Sequence, residues 1–191
     1  MTVGCPPVHL DLQEWDRFCN EHDDAYELVR GIPTVAPSEA GTNLNAAQIL
    51  ARILHRHAGS EFRALPGYGV LLSAHDGEST VRQPDLVVLP RAVDISEPRV
   101  RACDVTLVVE VVSPSSIERD WITKRAEYAA AGIPAYLVID VSAPVPTLTL
   151  FNRIEGEGHG VRYADPDGDG LQVLLAIGPY DVRVAAATLL D

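Results

Sequence analysis

Residues 104–141 constrain the fold more than any other stretch of this chain. Two apolar segments, DVTLVVEVVS (104–113) and AYLVIDV (135–141), flank a segment whose apolar residues recur at helical spacing. A strand over 105–112, a helix over 116–131 and a strand over 135–141 form a crossover unit. Its two strands must lie parallel in one sheet, and the connection is expected to be right-handed. Ser115 with Glu118 three residues on matches a capping box at the helix start. Gly132 followed by Pro134 closes the helix. The fold class that follows is mixed α/β with a central sheet flanked by helices.

The rest of the chain fits around that unit. DLQEWDRFCNEH (11–22) reads as an amphipathic helix, and AYELVRGIPTVAP (25–37) as a hairpin turning at Gly31. TNLNAAQILARILHRHAG (42–59) reads as a long helix with Leu44, Ala47, Ile49, Leu50, Ile53 and Leu54 on its apolar side. EFRAL (61–65), YGVLLS (68–73) and RQPDLVVLP (82–90) read as strands. Four short segments between 146 and 184 read as antiparallel strands. With 191 residues, one domain over 1–191 is expected, with an N-terminal helix within 1–20 and C-terminal strands over 145–191.

Composition removes several classes. No run of 18 apolar residues is present, so no membrane helix is expected, and the N-terminus lacks the pattern of a signal peptide. Cys5, Cys19 and Cys103 form no CxxC pair, which suggests a cytoplasmic protein with neither disulfides nor a zinc site. No phosphate-cradling P-loop or GxGxxG is present, so no nucleotide cofactor is expected. The net charge of −12 argues against a strong, non-specific electrostatic grip on nucleic acid. DPDGDG (165–170) resembles the start of a calcium loop, but the twelfth position is Ala176 where glutamate is needed, so a polar hairpin loop is the better reading.

Against that background Glu110 is out of place. In strand 105–112 it shares a face with Val108 and Val112, and a lone buried carboxylate is costly unless paired. Asp85 occupies a similar position in RQPDLVVLP, on a face shared with Gln83 and Val87. Fourteen of the 15 basic residues are arginine; the lone lysine is Lys124. It falls on the helix stripe Ile117, Trp121, Lys124, Tyr128, Ala131, which should lie on the sheet, while Arg119, Arg125 and Glu127 fall off it. Asp85, Glu110 and Lys124 can therefore converge. A divalent cation would relieve the repulsion of two carboxylates, and with a lysine the set suits metal-assisted phosphodiester hydrolysis. A buried Glu110–Lys124 ion pair, or a Lys124–Asp120 pair along the helix surface, would account for the same residues structurally.

The order QPDLVVL, LVVEVVSPSS, DWITKRAEYAAAGIPAYLVID, preceded by YELVRG, resembles the Uma-two family of restriction-endonuclease-like proteins, within the PD-(D/E)xK nuclease superfamily. The resemblance covers roughly residues 20 to 190. It implies a restriction-endonuclease-like core and Mg²⁺-dependent (or Mn²⁺-dependent) endonucleolytic cleavage of DNA. Asp85 and Glu110 would be metal ligands, together with the Val111 carbonyl, and Glu27 of YELVRG a further acid near the metal. Gln83 and Ser113 would support the site. The superfamily keeps its lysine two residues after the second acid, where this chain has Val112; Lys124 would supply the amine from the helix instead. The family's habit implies a homodimer. The alternative is a catalytically idle nuclease-fold module that binds protein or DNA.

Overall fold

The computed structural model describes residues 9–23, 25–36, 40–74, 78–114, 116–141, 145–154, 162–163 and 170–190, with backbone alone for 153–154 and 162–163. The elements run α1 (Leu12–Glu21), β1 (Tyr26–Val29), β2 (Ile32–Val35), α2 (Gly41–Ala58), β3 (Phe62–Pro66), β4 (Gly69–Ser73), β5 (Thr80–Arg82), β6 (Leu86–Pro90), β7 (Arg99–Arg101) and β8 (Leu107–Val112). A π-helical stretch (Arg119–Lys124) continues into α3 (Arg125–Ala130). There follow β9 (Ala135–Asp140), β10 (Thr147–Ile154), β11 (Arg162–Tyr163), β12 (Gln172–Ile177) and β13 (Tyr180–Ala185). Ser115 and most of DPDGDG, and with them the capping box and the calcium-loop reading, lie outside the described residues.

The strands divide between two mixed sheets and a hairpin. One sheet has the order β2-β1-β5-β4-β7, the other β11-β10-β9-β8-β6-β3, and β12 pairs with β13 alone. The crossover unit is present, with β8 and β9 parallel from Leu107 opposite Ala135 to Val112 opposite Asp140. RQPDLVVLP, in contrast, is not one strand. It splits at Gln83-Pro84-Asp85 into β5 of the first sheet and β6 of the second. Proline has no N–H for the ladder, so the chain leaves one sheet at Pro84 and enters the other. Gln83 and Asp85 therefore lie in the link between the sheets.

Alternation along β8 fills two cores. Leu107, Val109 and Val111 join Leu86, Val88, Leu137 and Ile139 under α2 and the β12–β13 hairpin. Val108 and Val112 join Val87, Tyr128, Ile133, Tyr136 and Phe151 on the opposite face. All six residues of β8 are buried, Glu110 among them on the second face. A smaller cluster of Trp15, Leu28 and Val81 holds α1 against the first sheet. No helix among the described residues is long and apolar enough to cross a membrane.

Two tight turns set strand register. Arg30 and Gly31 both take positive φ (50° and 79°) between β1 and β2, the geometry of a type I′ hairpin. Between β12 and β13, Gly178 takes φ 58°, and a Cβ there would lie 2.6 Å from Phe62 Cζ. Backbone conformation and Phe62 both demand glycine. Gly178→Ala is expected to cost about 1–3 kcal/mol by urea denaturation, whereas Gly41→Ala, in open space, should cost nothing measurable.

Candidate active site

Strand pairing places the two acids side by side. In the antiparallel β6–β8 ladder Leu86 faces Val109 and Val87 faces Val108. The same register sets Asp85, one residue before β6, opposite Glu110, and opposed residues share a face. The Val111 N–H donates to Asp85 Oδ2 at 2.5 Å, so the aspartate side chain takes over where the ladder ends. Asp85, Glu110, Glu27, Gln83, Lys124 and Arg119 all line one cavity of about 380 Å³.

Lys124 reaches this face from the crossover helix. Its Nζ lies 2.8 Å from Glu110 Oε1, 3.5 Å from Glu27 Oε1 and 3.7 Å from Asp120 Oδ1. Tyr128 donates to the same Glu110 oxygen at 2.6 Å. Glu110 is 3% exposed and Lys124 5%. Burial pushes the Glu110 carboxyl up to about 8; the Lys124 ammonium opposes this, and the charges of Asp85, Asp120 and Glu27 add to the push. Burial works against the Lys124 ammonium, but Glu110, Glu27 and Asp120 outweigh it and raise its pKa. Neighbouring carboxylates push both values up, but burial is the larger cause at Glu110 and an opposing one at Lys124.

Glu27 arrives from β1, in the other sheet, and is also buried. Its Oε2 accepts from Arg82 Nη1 at 2.7 Å, and its Oε1 accepts from the Gln83 N–H at 3.1 Å. Lys124 and Arg82 outweigh burial and hold this carboxyl below its usual range. Arg82 also makes a two-pronged contact with Glu127, Nε to Oε2 at 2.7 Å and Nη2 to Oε1 at 2.8 Å. Gln83 turns its amide to the Gly67 carbonyl (2.8 Å). Ser113 engages Ser116 at the helix entrance and is not among the cavity-lining residues. The Val111 carbonyl accepts from Asn43 Nδ2 of α2 (3.1 Å).

Four residues at the site, Asp120, Arg119, Arg82 and Glu127, were not assigned to it from the sequence, and helical spacing misplaces one of them, Asp120. The stripe expected from a 3.6-residue period put Ile117 on the sheet; it is 51% exposed. The buried stripe is Ser116, Asp120, Lys124, Tyr128, in steps of four, because the chain is π-helical from Arg119 to Lys124. Such turns are often found at functional sites. Asp120, 2% exposed, thereby enters the site; its place four residues before Lys124 was the available signal. Arg119 lines the cavity next to it. Arg82 and Glu127 tie the first sheet to the helix, and nothing in their local sequence announces it.

The donor set fits a hard divalent cation. Glu27, Asp85, Glu110, Asp120 and Glu127 face Lys124, Arg82 and Arg119, leaving two negative charges in excess when all are ionised. No group of three or more His, Cys, Asp or Glu side chains among the described residues is arranged to hold a metal alone. Mg²⁺ does not require one, since it takes one or two carboxylates and completes its octahedron with water and phosphate oxygens. Asp85 and Glu110 would hold it, with the second lone pair of the Val111 carbonyl as a further donor.

Three comparisons bear on this arrangement. The chain matches the family Uma2, described as "putative restriction endonuclease", over residues 12–181. It is similar in structure to a putative nuclease belonging to DUF820 from Anabaena variabilis, with a TM-score of 0.65 over 95% of this chain and 97% of that one. At 12% identity that likeness carries the fold. No curated protein matches the sequence.

Removing one member of a buried ion pair strands the other. Arg82→Met is expected to cost about 3–5 kcal/mol in urea denaturation, because Glu27 loses its closest cation in a water-poor site. Adding Glu27→Gln to that variant should restore part of the loss, a non-additivity that a double-mutant cycle reads directly.

Proposed function

The chain belongs to the Uma2 family of putative restriction endonucleases, and on that premise we propose that it hydrolyses DNA phosphodiester bonds with a divalent cation, Mg²⁺ or Mn²⁺, at the Asp85–Glu110–Lys124 site. The observation that carries the reading is the opposition of Asp85 and Glu110 across the β6–β8 ladder, with the Lys124 amine 2.8 Å from Glu110 and all three on one cavity wall. When bound, the cation would polarise the phosphodiester and lower the pKa of a water.

The chain's own residues supply the remainder. Lys124, held cationic by three carboxylates, acts as a fixed positive charge toward the developing phosphorane rather than as a base. On this reading Lys124 supplies, from a different stretch of backbone, the amine that the superfamily pattern carries at position 112. Tyr128 and Glu27 fix Lys124 and Glu110 in place from two sides. Asp85 is oriented by the Val111 N–H, so its carboxylate meets the cavity without a search over rotamers. A homodimer belongs to the same reading; light scattering tests it, and a monomer at micromolar concentration would remove it.

A second reading has its own observation. Glu110 is already satisfied at Oε1 by Lys124 and Tyr128, as in a purely structural ion pair. The two readings part on metal. Under the nuclease reading, purified protein cuts plasmid DNA in Mg²⁺ or Mn²⁺, and Asp85→Ala abolishes both cutting and the calorimetric signal of metal binding. Protein that cuts no DNA form and shows no metal heat would leave the idle module as the better account.

Lys124 separates them again by stability. Lys124→Met leaves Glu110, Glu27 and Asp120 facing one another without their shared cation. Its melting temperature in EDTA is expected to fall, and Mg²⁺ should restore more of it than in the wild type if the cation sits among those acids. A raised melting temperature in EDTA, with no response to Mg²⁺, would indicate a structural pair only. Lys124→Arg keeps the charge but not the compact geometry, and is expected to lower the rate of cutting about 100-fold or more.

A further inference from the structure

An acid-lined cavity in a protein of net charge −12 repels a polyanion. If nucleic acid enters it, some cation on the wall must be free to meet phosphate. Lys124 is hydrogen-bonded to Glu110, has Glu27 and Asp120 within ion-pair range and on the nuclease reading serves the reacting phosphorus, while Arg82 is taken up by Glu27 and Glu127, so neither is spare for a further phosphate. Arg30 pairs with Glu78, Arg99 with Asp16, and Arg125 lies over the Phe151 ring at 4.2 Å.

Arg119 differs from all of these. It lines the cavity beside Asp85, Glu110 and Lys124. Its Nε is buried and has no hydrogen-bond partner among the described residues. The carboxylate oxygen within ion-pair range is Asp120 Oδ1, at 3.8 Å, too far for a hydrogen bond. That oxygen is also buried without a hydrogen-bond partner among the described residues, and it lies 3.7 Å from Lys124 Nζ. Asp120 thus holds two cations by charge without occupying the donors of either. A donor and an acceptor buried and unmatched side by side are costly in the free protein. Nε is closed off from solvent, so a ligand in the cavity would meet the guanidinium at its outer nitrogens, and pairing its charge there would offset part of that cost.

We propose that Arg119 is the phosphate-binding residue of this site, gripping a backbone phosphate of the nucleic acid in the cavity, with Asp120 as the positioning residue that orients it. The inference rests on the nuclease reading and names how its substrate is held. A guanidinium presents a planar fork that matches two phosphate oxygens, which an ammonium cannot do. The π-helical turn makes the arrangement possible, because it brings Asp120 into the buried stripe while the adjacent Arg119 faces the cavity.

Anisotropy of a short labelled DNA duplex tests this, with Ca²⁺ present and salt varied over roughly 50–200 mM. Arg119→Gln is expected to bind about 10-fold more weakly at the low-salt end. The slope of log affinity against log salt should flatten by about 0.9, the loss of one duplex phosphate contact. Arg119→Lys should fall between, keeping the slope but losing the fork. Wild-type affinity and slope in Arg119→Gln would overturn the proposal. Should Arg119→Gln also melt early, Arg119→Lys decides: weaker binding at wild-type melting temperature supports the proposal, and unchanged binding overturns it. Weakened binding by the variant when neither protein cuts in Mg²⁺ removes the nuclease reading and leaves Arg119 as the phosphate contact. Normal cutting with unchanged variant binding does the reverse, and a wild type that binds no DNA overturns both.

Discussion

Everything at this site depends on one carboxylate being held inside a sheet. Glu110 sits in a strand whose six residues are all buried, between valines that belong to a packed core. Left alone it would destabilise the fold or take up a proton. Lys124 and Tyr128 converge on its Oε1 from the crossover helix, so the helix cannot rotate or slide without exposing that oxygen to an apolar environment. The ion pair therefore fixes the helix on the sheet, and the same contact fixes the amine beside the cavity. Packing and chemistry are set by one geometric requirement.

The second requirement is that two sheets meet at the right distance. Glu27 belongs to the first sheet and Glu110 to the second, yet Lys124 lies within ion-pair range of both. Arg82 closes the circuit. It ends β5 of the first sheet and clamps Glu27 on one side and Glu127 of α3 on the other. Immediately after it the chain crosses to the second sheet through Gln83-Pro84-Asp85, so the clamp and Asp85 are only three residues apart. A short, proline-stiffened link transmits the position of one sheet to the acid on the other.

Where sequence pattern was a sufficient guide, the reason was local. The parallel crossover of β8 and β9, the hairpin at Gly31 and the long helix are each specified by periodicity and by turn residues within a few positions. The acids Asp85 and Glu110 and the lysine were legible because each contradicts an apolar surrounding. What escaped was decided by tertiary context. RQPDLVVLP has strand composition throughout, but Pro84 cannot join a ladder and the segment serves two sheets. β7 is three residues long and has no pattern to read. The helix departs from a 3.6-residue period, so Ile117 and Asp120 exchange their expected places. Arg82 and Glu127 were hidden among ordinary charged residues because their partners lie 45 and 55 positions away in the chain.

The acidic character of the chain then reads differently at short range. A net charge of −12 weighs against long-range attraction of DNA, and at physiological ionic strength such attraction is screened beyond about 8 Å. Inside the cavity the balance is set by groups a few ångströms apart, where screening is weak and the low dielectric strengthens each contact. There the acids surround Lys124 while Asp120 holds Arg119 without hydrogen-bonding to it. A cation between Asp85 and Glu110 would remove the excess negative charge, and only then would the guanidinium face a cavity that tolerates phosphate. Metal and nucleic acid would in that case bind with positive coupling, each lowering the electrostatic cost of the other, and an acidic protein would engage DNA only where its acids are already neutralised.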